Sequence, residues 1–140
     1  MVLYTPEVLA LTTTLAAYRL DDTLVLRSEA RSRSCGSTLT LGLALDARDR
    51  VERVGVRSQA CAVGQASAAI FAQAAVGRSA GQIAAMAQAV TRWLAQEGEL
   101  PDWPGLATIA PARDYPGRHG ALLLPWNAAL QLLSSRAAAG

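Results

Sequence analysis

Between residues 23 and 59 the hydrophobic period of the chain changes. Before that stretch apolar residues recur at helical spacing, within it they alternate, and after it the helical spacing returns. A period of 2 sends successive side chains to opposite faces of a strand, and a period of 3.6 keeps them on one stripe of a helix, so the change dictates a chain of the α+β class. In 23–33, Leu24, Leu26, Ser28 and Ala30 alternate with Val25, Arg27, Glu29 and Arg31. In 38–45, Leu39, Leu41, Leu43 and Leu45 share one face. A polar turn at 46–50 follows, and 51–59 alternates again through Val54 and Val56, with Arg53 and Arg57 turned the other way. Connections this short join sequential neighbours, which predicts a three-stranded antiparallel meander with one face buried and one wet.

The flanks supply the helices. Val8, Leu11, Leu15 and Tyr18 recur behind Thr5-Pro6, a capping threonine and a proline suited to the first turn, and predict a helix over 6–18. Beyond Cys61 an alanine-rich helix over 62–76 ends near Gly77. Ser79 then caps another that runs to about residue 97 through Ile83, Met86, Ala87, Val90 and Leu94. Pro101, Pro104, Pro111 and Pro116 make 98–117 a loop with at most a helical turn at 106–109. A last helix is expected over 122–135, with a fraying tail at 136–140. Helices stacked on the leucine face of the meander complete a single domain over 1–140, a length at which 51% hydrophobic residues suffice for a core.

Composition excludes several classes. The apolar run 121–124 stops at Pro125, far short of the ~20 residues a membrane span needs. The segment 1–7 lacks the basic cluster of a secretory signal, so the expectation is a cytoplasmic protein without membrane contact. Net charge is +2, and all 13 basic residues are arginines scattered from Arg19 to Arg136; with 5% aromatic residues this is not a nucleic-acid footprint. Arg27, Arg31, Arg33, Arg53 and Arg57 read as a solvated strand face, and Trp93, Trp103 and Trp126 as core or loop anchors.

The meander also says where chemistry could gather. The turn between the first two strands and the exit of the third lie at the same end of the sheet; Cys35 is in the former and Cys61 in the latter, so the two sulfurs are expected within about 8 Å, twice the ~4 Å spacing of metal-bridged thiolates. Gly36 leaves amides open beside Cys35, and Cys61 stands immediately before a helix, where free N–H groups favour a thiolate. His119, the only histidine, precedes the last helix. The plainer readings stand beside these: small buried cysteines, an exposed and idle histidine, or, with Cα atoms within ~7 Å, a two-cysteine redox pair.

The order strand, Cys35-Gly36, strand, polar turn, strand, Cys61 leading an alanine- and serine-rich helix, helix, proline loop and closing helix resembles the NifU-type iron-sulfur cluster assembly scaffolds, of which IscU and SufU are members. The similarity runs from Leu3 to about Leu133, and Arg118-His119-Gly120-Ala121 followed by 122–126 resembles the SufU-like version in particular. The resemblance implies the NifU-like fold and a ligand set of three cysteines and an aspartate, with a histidine in some members. Cys35 and Cys61 match the first two cysteines. Ala121 stands at the third and Ser37 at the aspartate, while His119 is a counterpart of the histidine with the register off by one. It further implies a non-enzymatic, divergent scaffold or carrier for a [2Fe-2S] cluster or iron, with zinc as an alternative cargo, and with a cysteine desulfurase and apo iron-sulfur recipients as partners. The alternative it leaves is a degenerate scaffold-fold adaptor or regulator of the desulfurase that binds no metal.

Overall fold

The alternating stretch forms one sheet. A computed structural model of the protein, which describes residues 3–33 and 36–139 (backbone only from 136), has strands β1 (Leu26–Arg31), β2 (Thr38–Leu45) and β3 (Val51–Gln59) in the order β1-β2-β3, each antiparallel to the next. β2 and β3 have the bounds that alternation predicts. β1 is shorter than the expected 23–33. At its start the Asp21 carboxylate accepts the Thr23 amide at 2.9 Å and also the Thr23 hydroxyl, a local turn that competes with the ladder. At its end the Ser32 amide donates to Ser37 O at 2.8 Å and the Gly36 amide to Ser32 O at 2.9 Å, which closes the hairpin.

Leu39, Leu41 and Leu43 point to the core and are fully buried, each contributing on the order of 1.5–3 kcal/mol of apolar transfer. Above them lie α2 (Ala62–Ala75), against β3, and α5 (Leu124–Ala139), against β1 and β2. The Ser28 hydroxyl donates to Ala128 O and fixes α5 on the first strand. α1 (Pro6–Thr14) packs on α2, and α3 (Ala80–Leu94) packs on α5. The helix starts follow the sequence signals: Thr5 Oγ1 accepts the Val8 amide, and Ser79 forms a capping box with Gln82.

The opposite face is not wholly wet. Gly42 and Gly55 are register partners there, and the hollow they leave is filled by Leu24, 1% exposed, with Leu20 beside it. Residues 18–20 also protect the β3 edge, since the Val56 amide donates to Tyr18 O at 2.8 Å. The arginines of this face stay exposed, as expected.

Two further expectations are corrected. The proline loop holds a 3-10 helix over Leu106–Asp114, longer than the turn expected, and a second over Pro116–Arg118. Trp103 makes this possible by anchoring the loop: its indole N–H donates to Ile70 O at 2.9 Å, and its ring lies 4.8 Å from Trp126 and 5.9 Å from Phe71. The last helix is in two pieces, α4 (His119–Leu122) and α5, because Pro125 has no amide to donate and fits only the first turn of a new helix. α5 then continues to Ala139, past the expected end at 135.

Candidate functional site

The row Arg31, Thr38, Gln59 closes one end of the sheet. From this rim leave both the hairpin turn 32–37 and the exit of β3 through Ala60 to Cys61. Cys35 itself lies outside the described residues, and with it the expected distance between the sulfurs. Its neighbour Gly36 is left-handed, with φ 70°, the freedom that the turn requires. Ser37, at the position the resemblance gives to an aspartate, is buried at 7% exposure, and its carbonyl accepts the Ser32 amide.

Cys61 is the N-cap of α2, with φ −67° and ψ 171°, and is a half-buried free thiol at the border of the core. Its carbonyl accepts the Gln65 amide at 3.0 Å, the first bond of the helix, while Gln65 Nε2 donates to Ala60 O at 2.8 Å and holds the entry of the chain. The sulfur accepts no capping hydrogen bond. Serine or aspartate would do so at this position, so Cys61 occupies the N-cap without capping through its side chain.

One turn into α2, Gly64 meets α4. A Cβ on Gly64 would lie 3.4 Å from Ala121 O and 3.5 Å from Ala121 Cβ. The buried Ser67 hydroxyl donates to Leu122 O at 2.6 Å, so α4 is fixed against the first turns of α2. Ala121 is fully buried, and the resemblance's third cysteine position thus faces the turn that Cys61 caps.

His119 opens α4 and is not fully exposed. Its ring is half-buried, with Nε2 2.7 Å from Arg113 O. A carbonyl only accepts, so Nε2 carries the proton and Nδ1 of the neutral ring keeps the lone pair. An imidazole whose distal N–H is held by a carbonyl is the form that metal-binding histidines take. Among the described residues, no three His, Cys, Asp or Glu side chains come together as a metal cluster.

No protein-family model matches the chain, and no curated protein matches it either. Solved structures do. A nitrogen-fixing NifU-like protein (N-terminal) from Brucella abortus superposes with a TM-score of 0.85 at 26% identity, covering 99% of this chain and 96% of that one. This chain has the NifU-like fold. A protein from Fervidobacterium islandicum AW-1, assigned as an iron-sulfur cluster assembly scaffold for the SUF system, agrees on the same NifU-like fold with a TM-score of 0.84 at 20% identity, over 94% of this chain and 96% of its own.

Within this NifU-like frame the sequence reading missed Gly64, Ser67 and Arg113. Gly64 did carry a signal, since a lone glycine inside a helical pattern marks close approach of another element. Ser67 carried none among so many small residues, and Arg113 reaches His119 through its main chain, which no side-chain pattern reveals.

Proposed function

We propose that the protein is a divergent iron-sulfur cluster assembly scaffold or carrier, taking iron, a [2Fe-2S] cluster or zinc as cargo on Cys35 and Cys61, with His119 as a third donor. The observation that carries this reading is the common rim of the NifU-like sheet, from which the hairpin 32–37 and the capping position Cys61 both leave. Thiolates with one imidazole suit zinc and iron, and a thiolate also accepts sulfur. A protein of this kind turns over no substrate of its own. Its partners are a cysteine desulfurase that supplies sulfur and apo-proteins that receive the cluster. It works as one unit over 1–140 in the cytoplasm. No described helix is long and apolar enough to cross a membrane.

A second reading has its own support. The α4 position that faces the first turn of α2 is Ala121, which offers no donor, and Ser37 is neutral. A scaffold-fold adaptor that regulates the desulfurase without metal needs neither ligand. Anaerobic purification with elemental analysis and visible absorption separates the two readings. Iron with sulfide and colour supports the carrier, and zinc without colour supports the donor set alone. No metal with two free thiols supports the adaptor. Cys61→Ser abolishes bound metal under the first reading, and an unchanged metal load overturns it.

A further inference from the structure

Arg113 stands near the end of the 3-10 helix Leu106–Asp114 and reaches back to the C-terminus of α3. Its Nε donates to Trp93 O at 2.7 Å and its Nη2 to Gly98 O at 3.2 Å, with the guanidinium carbon 5.8 Å from the Trp93 ring centroid. The last carbonyls of a helix have no intrahelical donor, and one planar guanidinium here serves two oxygens of the α3 terminus and the turn beyond it. The main-chain oxygen of the same residue accepts from His119 Nε2. Side chain and carbonyl of one residue therefore connect the end of α3 to the imidazole. Residue 113 sits in the last turn of its 3-10 helix, and only the turn at Tyr115 and the three-residue 3-10 helix Pro116–Arg118 lie between it and the imidazole.

We propose that Arg113 is a positioning residue for His119: its side chain ties residue 113 to α3, and its carbonyl thereby selects the Nε2–H tautomer and leaves Nδ1 as the nitrogen able to bind a cation. The metal half of this inference rests on the reading of His119 as a donor; the tautomer half does not. Lysine cannot replace the fork, because a single ammonium on a flexible stem does not span both carbonyls in one plane.

His119 is the only histidine, so a long-range proton-nitrogen correlation of the metal-free, nitrogen-15-labelled protein at about pH 8, above the ordinary histidine range, reads one ring without assignment. The wild type is expected to show the Nε2–H pattern. Arg113→Ala and Arg113→Gln are expected to move both ring nitrogens toward the averaged shifts of a free imidazole, with Arg113→Lys nearer to them than to the wild type. Arg113 lines an open pocket of about 510 Å3 with Trp93, Ala107, Ala110, Pro111 and Asp114, so truncation enlarges an existing surface hollow rather than a sealed void. Far-UV circular dichroism checks the fold of each variant. A wild-type proton on Nδ1, or an unchanged ring pattern in folded Arg113→Ala and Arg113→Gln, overturns the proposal. Zinc affinity, measured by competition with a chelator, is expected to fall about tenfold to a hundredfold in the same variants, as for other outer partners of metal-binding histidines. A changed tautomer with unchanged zinc affinity supports the positioning role and overturns the donor role of His119.

Discussion

Ala121 packs on Gly64: a Cβ on the glycine would lie in ordinary contact with the alanine Cβ, 3.5 Å away, one turn along α2 from Cys61, although its tightest neighbour would be Ala60 Cβ at 2.9 Å. Residue 121 is thus a side chain of α4 that packs on the first turn of α2, the turn Cys61 caps, and a thiol there would add a donor to Cys61 and His119. Ala121→Cys is expected to raise zinc affinity at least about tenfold, or ~1.4 kcal/mol, and to increase the iron and sulfide retained after anaerobic reconstitution. One added sulfur in a packed position costs up to ~1–3 kcal/mol of stability, visible in a urea melt. A variant that folds and holds no more metal than the wild type would show that the rim is not a metal site.

The glycine pair on the outer face gives a comparison that does not depend on function. A Cβ on Gly55 would meet Arg19 O at 2.8 Å and Leu20 Cα at 2.9 Å, both backbone, as well as Leu24 Cδ1. A Cβ on Gly42 would meet Leu20 Cδ1 at 2.6 Å and Leu24 Cβ at 3.0 Å, side-chain atoms only. Leu20 Cδ1 is a side-chain tip that can turn away, whereas Leu24 Cβ moves only with its backbone, so Gly55→Ala is expected to cost about 1–3 kcal/mol, and Gly42→Ala somewhat less. Equal urea midpoints for the two variants would mean that the main chain at 19–20 does not limit the space over Gly55 more than the side chains limit that over Gly42.

These glycines show where the sequence was legible and where it was not. β2 and β3 could be read because Leu39, Leu41, Leu43, Val54 and Val56 alternate against polar residues, a signal made by one half-buried sheet. Cys61 as the residue before α2 was equally clear, because the period changes there. Leu24 was misread as strand since it is in phase with Leu26, although the Asp21 turn carries it over to the glycine hollow. The 3-10 helix through Pro111 was hidden because it depends on the Trp103 anchor, a contact with Ile70 across 33 positions. The same holds for the site: its helix ends and strand rim are local features, whereas the meeting of Gly64 with Ala121 and of Arg113 with His119 exists only after packing.

Ser67 holds α4 against α2 by a bond of 2.6 Å to Leu122 O, with the serine fully buried. Ser67→Ala removes the donor, leaves that contact of a buried carbonyl unmade and is expected to cost about 1–3 kcal/mol. Because α4 carries both His119 and Ala121, the variant is also expected to loosen the His119 ring, seen as line broadening of its single imidazole resonance set. Ser67→Cys, with a weaker donor of similar size, is expected to fall between the two. A stability loss below about 0.5 kcal/mol with sharp imidazole lines would mean that α4 is held by other contacts.

Asp21 ties the start of the outer-face cover to pH. The Thr23 hydroxyl and then the Thr23 amide donate to its carboxylate, with Arg53 Nη1 at 3.4 Å adding to them, and together they hold its pKa below the ordinary 3.8. A carboxyl lower in the folded than in the unfolded chain binds fewer protons when folded. It therefore stabilises the fold fully above the unfolded value, and that stabilisation is lost as pH falls through the folded one. Wild-type stability is thus expected to drop as pH falls through 3.8 and below, and Asp21→Asn, which has no carboxyl to protonate, is expected to show a shallower drop. Asp46, lowered by the amides of Arg50 and Arg48, keeps part of the slope in that variant. Carbon-13 titration of the Asp21 carboxyl is the direct measurement: a midpoint at or above 3.8 would show that Thr23 and Arg53 do not hold the carboxylate, and with it the turn that sends Leu24 onto the glycines.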